Sequence, residues 1–161
     1  MKPSSSPGIL TPDAACRERR RFAEEGRKVV FTNGCFDILH RGHVEYLDFA
    51  ATQGDVLIVG INSDDSIRRI KGEGRPVTFA EDRARVLRAL ACVDAVVIFD
   101  EDEPGALIEK LLPDVLVKGE DWKHYVSGRE AVERHGGHVV LAPLSPGYST
   151  SGLIRKIRDS S

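Results

Sequence analysis

Five short runs rich in Val and Ile, separated by segments of helical period, constrain this chain more than any other feature. They fall at residues 29–31, 56–61, 95–99, 115–117 and 138–142. Most are continuous rather than alternating, as expected of strands covered on both faces. In the intervals, Val44, Leu47 and Ala51 share one helical face, and Pro104 opens a helix over 106–112. Thr78-Phe79-Ala80-Glu81 and Ser127-Gly128-Arg129-Glu130 read as capping boxes. The first precedes Val86, Leu87 and Leu90, and Gly136-Gly137 ends the helix that the second begins. A last helix is expected over 151–158. Strands alternating with helices close through right-handed crossovers into a parallel sheet. The expected fold is therefore α/β: a doubly wound, five-stranded parallel sheet with helices on both faces.

The chain has 161 residues and is 41% apolar, enough for one such domain. Residues 1–10, rich in Ser, Pro and Gly, read as loose. Thr11-Pro12-Asp13 then starts a helix that Gly26 stops. The expected division is an N-terminal arm and helix over 1–27 and a body over 28–161. Arg17, Arg19, Arg20 and Arg21 crowd that helix, so residues 1–28 carry +3 and the remainder −5. An anion-binding arm is one reading; a solvated helix lying on the domain is the preferred one.

The total of 23 Lys and Arg against 25 Asp and Glu argues against a dedicated nucleic-acid binder. No apolar run approaches the roughly 18–20 residues of a membrane span. The first twelve residues place Ser and Pro where a signal peptide has its apolar stretch. The three cysteines, Cys16, Cys35 and Cys92, form no Cys-x-x-Cys, so neither a disulfide framework nor a thiolate zinc site is expected. The expectation is a cytoplasmic protein.

Doubly wound sheets bind ligands at the carboxyl ends of their strands. The first strand leads into Thr32-Asn33-Gly34-Cys35-Phe36-Asp37-Ile38-Leu39-His40-Arg41-Gly42-His43. Gly34 suits a tight turn. His40 and His43 are three residues apart at a helix start and face the same way. Gly42 between them leaves the surface free of bulk. Such a helix N-terminus with two imidazole donors suits a phosphate chain. Half a metal site is the competing reading, but His124, His135 and His138 add no ligand-like spacing. Cys35 as a nucleophile is set aside, because a small residue is wanted in that turn. After the second strand, Asn62 precedes a loop carrying Lys71 and Arg75, cations suited to transition-state charge. Gly119, Asp121 and Trp122 follow the fourth strand, offering close approach, a ribose or base acceptor and a flat packing surface. Ser149 and Thr150 follow the fifth, either as caps or as a second phosphate clamp. Asp100 to Glu103 read as dipole-complementing acids rather than metal ligands.

His40-x-Gly-His43 behind the Gly34-x-Phe36-Asp37 turn, with Ser149-Thr150-Ser151 at the last helix, resembles the nucleotidyltransferase superfamily of cytidylyltransferase-like enzymes. The resemblance covers residues 28–158 and implies a Rossmann-like sheet. Residues 31–40, Val59 to Asp64, Arg75-Pro76-Val77 and Pro143-Leu144 look like the heptose 1-phosphate adenylyltransferases. Cytidylyltransferases of polyol and amino-alcohol phosphates commonly carry an arginine where this chain has Leu144.

The resemblance implies transfer of AMP from ATP to D-glycero-β-D-manno-heptose 1-phosphate for lipopolysaccharide core synthesis, releasing pyrophosphate. It implies that His40, His43 and Lys71 are catalytic. Asn33, Gly34, Phe36, Gly42, Gly119, Asp121, Ser149 and Thr150 would bind nucleotide, and Asp37, Asn62 and Arg75 the sugar phosphate. Mg²⁺ would arrive with ATP, with no metal ligands from the protein. A homo-oligomer is expected, in a stand-alone form supplied by a separate kinase chain. A cytidylyltransferase of polyol or amino-alcohol phosphates is the alternative, and a silent nucleotide-binding module a remote one.

Overall fold

A computed structural model describes residues 8–161. Its strands are β1 (Ile9–Leu10), β2 (Val29–Gly34), β3 (Val56–Asn62), β4 (Ala95–Phe99), β5 (Val115–Gly119) and β6 (His138–Ala142). The helices are α1 (Pro12–Glu24), α2 (Arg41–Ala51), α3 (Asp64–Lys71), α4 (Ala80–Ala89), α5 (Gly105–Leu111), α6 (Arg129–Arg134) and α7 (Thr150–Asp159). A 3₁₀ turn, Glu120–Trp122, follows β5. The sheet order is β1-β4-β3-β2-β5-β6, with every neighbouring pair parallel. From β2 the chain steps outward through β3 to β4, then returns to the far side of β2 at β5. The order thus reverses between β2 and β5.

Burial on both faces explains the unbroken apolar runs. On one face Phe31, Ile58, Val97 and Leu116 pack against Phe22, Ile108 and Val132 from α1, α5 and α6. On the other, Val30, Val59, Val96 and Val117 pack against Leu47, Ala84 and Leu87 from α2 and α4. All seven residues of β3 are buried. No helix among the described residues is long and apolar enough to cross a membrane.

Three local expectations are corrected. The sheet has six strands, not five: Ile9 and Leu10 pair with Val96 and Val97 of β4. A two-residue edge strand at the end of a Ser- and Pro-rich stretch carries too little pattern to read. The rest of that supposedly loose stretch, residues 1–7, lies outside the described residues. Residues 67–71, the first part of the stretch read as a cationic loop, lie in the helix α3. Only Ser66 and Ile67 of α3 are buried, too few to mark a period, although its caps and charges were legible. Ser63 caps it, Asp64 and Asp65 sit in the first turn, and Arg68, Arg69 and Lys71 in the last. Neither capping box forms. The N-caps of α4 and α6 are Phe79 and Gly128, without side-chain cap bonds. Ala80 N–H instead donates to Asp64 Oδ1 at 2.9 Å, so α3 caps α4 from across the fold.

The N-terminal helix is built into this body. Ala15 and Phe22 of α1 are buried at 0% and 1% exposure, and Arg21 and Arg27 stack over the Phe22 ring. Arg19 donates to Leu112 O and Asp114 Oδ1, and Asp114 Oδ2 accepts from Val29 N–H at 2.7 Å. One arginine thereby joins α1 to the end of α5 and the start of β2. Phe22→Ala should lower the unfolding free energy by about 3–5 kcal/mol in urea titrations, as for other buried aromatics. A loss below about 1 kcal/mol would show that α1 unfolds independently of the sheet.

Candidate active site

The reversal in strand order opens a cleft of about 580 Å³ above the carboxyl ends of β2 and β5. All the site residues expected from sequence line it except Asn62. The amide of Asn62 donates to Ser66 Oγ at 3.0 Å, and its Oδ1 faces Cys35 Sγ at 3.9 Å. It thus belongs to the packing between β3 and α3.

The histidines sit where α2 begins. His40 is the N-cap, and its Nδ1 accepts from His43 N–H at 3.3 Å. That bond leaves the His40 proton on Nε2, which becomes a donor. The two rings stack at 3.7 Å, and the Phe36 ring meets His43 edge-on at 5.1 Å. Burial lowers the His40 pKa. His43 is pushed down to about 4 by burial and then by His40, against a weaker pull from the Ile38 backbone. Its Nδ1 is buried and has no partner at hydrogen-bond geometry among the described residues. Both imidazoles are therefore neutral near pH 7 and can donate to phosphate oxygens without carrying charge.

Close approach explains the glycines. A Cβ on Gly42 would stand 2.9 Å from Tyr148 Cβ and 3.0 Å from the His40 ring. A Cβ on Gly34 would strike the Phe36 ring at 2.9 Å. The left-handed residue of this turn is not Gly34 but Phe36, at φ +47°, a conformation that swings its ring beneath His43. The opposite wall comes from α7. Ser149 caps it by accepting from Gly152 N–H, and Thr150 Oγ1 donates to Ile38 O at 3.3 Å. Both hydroxyls lie on the cleft, but each already serves α7 or the histidine loop. Lys71, the last residue of α3, is exposed and makes no ion pair among the described residues.

Asp37 and Arg83 fasten the front of the site. The Asp37 side chain is fully buried and accepts from Arg75 Nε at 2.7 Å, from Val77 N–H at 2.9 Å and from Thr78 N–H at 2.8 Å. Burial alone would raise its pKa, but those two amides and Arg75 together hold it below the usual carboxylate range. With its oxygens so engaged, Asp37 anchors the segment that carries Arg75. Arg83 is also buried, and donates to Thr78 O, Cys35 O and Asp64 Oδ1 at 2.8–2.9 Å. Burial raises the Cys35 thiol pKa, which keeps it a thiol rather than a nucleophile.

Sequence reasoning gave no role to Lys118, Tyr46 or Arg83. Lys118 stood in plain view beside Gly119, but nothing local shows that its side chain is buried. Tyr46 OH lies 2.7 Å from Thr32 Oγ1 and donates to Val117 O, bridging α2 to β2 and β5. Asp37→Asn should destabilise the fold by about 1.5–3 kcal/mol at pH 7, the range for hydrogen bonds to a charged group. Because the folded pKa is depressed, this stabilisation is present above about pH 4 and is lost as pH falls below it. Thermal melts of both proteins from pH 7 to pH 3 should therefore converge at the acid end; a constant gap would refute the assignment.

The chain is 56% identical over 154 residues to Bifunctional protein HldE of Mesorhizobium japonicum, covering 95% of this chain and 31% of the relative. It is 51% identical over 160 residues to the protein of that name from Geotalea uraniireducens, covering 99% and 33%. The chain thus spans about a third of the length of these relatives. Among solved structures, a lipopolysaccharide core biosynthesis protein from Thermoplasma volcanium superposes with TM-score 0.60 at 27% identity, covering 74% of this chain and 98% of that one. A pantoate-beta-alanine ligase from Francisella tularensis shares the fold alone, with TM-score 0.63 at 16% identity and coverage of 91% and 69%. Residues 31–156 match the Cytidylyltransferase-like family, and the chain belongs to it.

Proposed function

We propose that this chain transfers AMP from ATP to D-glycero-β-D-manno-heptose 1-phosphate, giving ADP-heptose and pyrophosphate. The observation that carries the reading is the neutral, stacked His40–His43 pair at the start of α2, in a cleft that Lys71 and α7 also line. Such a site binds and positions a triphosphate and offers no activated nucleophile of its own. Displacement is therefore direct. An oxygen of the acceptor phosphate bonds to the α-phosphorus of ATP as the bond to the β-phosphate oxygen breaks, and pyrophosphate leaves.

In this reading His40 and His43 donate to phosphate oxygens where charge builds up, and Lys71 neutralises charge across the α- and β-phosphates. Gly119 and Asp121 meet base or ribose, with Gly34, Phe36 and Gly42 shaping the nucleotide side. Ser149 and Thr150 close on the phosphates from α7, and Arg75 turns toward the acceptor. No group of three or more His, Cys, Asp or Glu suited to a metal occurs among the described residues. A Mg²⁺ entering with ATP would be bound mainly by phosphate oxygens and water and would supply charge neutralisation. The choice of sugar rests on the motif resemblance, on the HldE relatives and on the lipopolysaccharide core protein among the structural neighbours. A substrate of this kind and the use of ATP fit a cytoplasmic enzyme. Its acceptor is the product of a kinase-class reaction on the sugar.

The test is pyrophosphate release from ATP or CTP with heptose 1-phosphate, glycerol phosphate and ethanolamine phosphate. ATP with heptose 1-phosphate should exceed every other pairing by at least about tenfold in kcat/KM; a CTP and polyol phosphate preference would install the cytidylyltransferase reading instead. His40→Ala and His43→Ala should each lower kcat by about 10²–10³, the effect of removing one transition-state donor. Lys71→Ala should cost about 2 kcal/mol, near thirtyfold. Near-normal turnover in correctly folded variants would remove these residues from the chemistry.

A further inference from the structure

Lys118 is the one buried lysine among the described residues, at 7% exposure, and the function proposed above leaves it unused. Its Nζ donates to Asn33 Oδ1 at 2.8 Å and stands 5.1 Å from the centroid of the Trp122 ring. No carboxylate lies within ion-pair distance of it among the described residues. Asp121 of the 3₁₀ turn, Glu103 before α5 and Cys35 after β2 are the titratable groups that act on it from the surrounding elements. A buried ammonium whose hydrogen-bonded partner is a neutral amide is costly. One of its three donors is spent on Asn33, which leaves two for a ligand in the cleft that it lines.

Strand alternation says which part of the reaction these donors face. Thr32 and Val117 are on the α2 face, where Thr32 Oγ1 meets Tyr46 and Val117 packs in the α2 and α4 layer. Phe31 and Leu116 are in the layer of α1, α5 and α6. Asn33 and Lys118, next along each strand, lie on that second face. The histidines and the α7 hydroxyls, which hold the triphosphate in the proposed reaction, belong to the α2 side. In-line displacement requires attack from the side of the α-phosphorus opposite the leaving pyrophosphate.

We propose that Lys118, steadied by Asn33, binds the phosphate of the acceptor and aims its attacking oxygen at the α-phosphorus of ATP. This assignment rests on the reading of the site as a nucleotidyltransferase with a phosphorylated acceptor. Lys118 is then a catalytic residue that touches substrate, and a purely structural tie between β2 and β5 is the alternative. Burial brings the Lys118 pKa down to about 8, so its charge is lost within an accessible range. His40 and His43 are neutral throughout that range.

Steady-state kinetics of the full chain and of Lys118→Met test the assignment. The variant keeps an unbranched stem as far as Cε and removes the ammonium. Its KM for the acceptor should rise at least about tenfold, the loss of one charged hydrogen bond, while its KM for ATP stays within about twofold. In the unmodified protein, kcat/KM for the acceptor should fall as pH rises through about 8, because the ammonium is lost; Lys118→Met should lack that limb. A structural tie would move neither the KM split nor the alkaline limb. An ATP-directed KM defect, an unchanged acceptor KM, or an alkaline limb that survives in Lys118→Met overturns the proposal. Turnover by the unmodified protein with another phosphorylated acceptor overturns only the heptose reading, and the comparison is then made with that acceptor. Absence of turnover with every phosphorylated acceptor overturns both.

Discussion

The buried guanidinium of Arg83 is the tie on which the working end of this molecule depends. It reaches from α4 to the carbonyl of Cys35 in the histidine loop, to the carbonyl of Thr78 and to Asp64 at the head of α3. Asp64 in turn caps α4, so the segments after β2 and β3 share one charge pair. Asp37 completes the frame by taking the amides of Val77 and Thr78 and the side chain of Arg75. Both groups are buried and each makes at least three hydrogen bonds, so loss of their charged partners would leave an uncompensated charge. This is why a loop with few apolar contacts holds a defined shape at the mouth of the cleft.

Against that frame the catalytic chemistry is modest. The sheet supplies a reversal in strand order, α2 a helix N-terminus, and burial keeps the two imidazoles neutral. In the proposed reaction the site would position phosphates and spread charge, as phosphoryl and nucleotidyl transfer require. The three cations on the cleft have different surroundings. Lys71 is exposed at the end of a helix, Arg75 is held by Asp37, and Lys118 is buried beside a neutral amide. Such differences in environment allow groups of one sign to serve different phosphates.

Much of this was legible in the residue order. The apolar runs located five of six strands, and the histidine motif, Gly42, Ser149 and Thr150 were placed at the correct strand ends. The misses have a common cause. Ile9 and Leu10 form a strand only because β4 offers them an open edge. α3 buries just Ser66 and Ile67, and its polar face resembles a loop. Thr78 and Ser127 have capping-box spacing, yet α4 takes its cap from Asp64, sixteen residues back. Asn62 follows a strand like the other site residues, but its amide is directed to Ser66.

The sequence by itself determined the layered α/β architecture, the order of its main elements and the kinds of side chain available at the sheet edge. Those depend on hydrophobic period, caps and glycines, which act over a few residues. Only the tertiary structure decided how the polar groups are paired. Arg83 meets Cys35 across 48 positions, and Lys118 meets Asn33 across 85. A buried polar group takes its pKa and its role from the partners that remain when water is excluded. Those partners come from distant segments, so only the assembled sheet sets apart the buried Asp37, which holds Arg75 and two amides, from the exposed Lys71 at the end of α3.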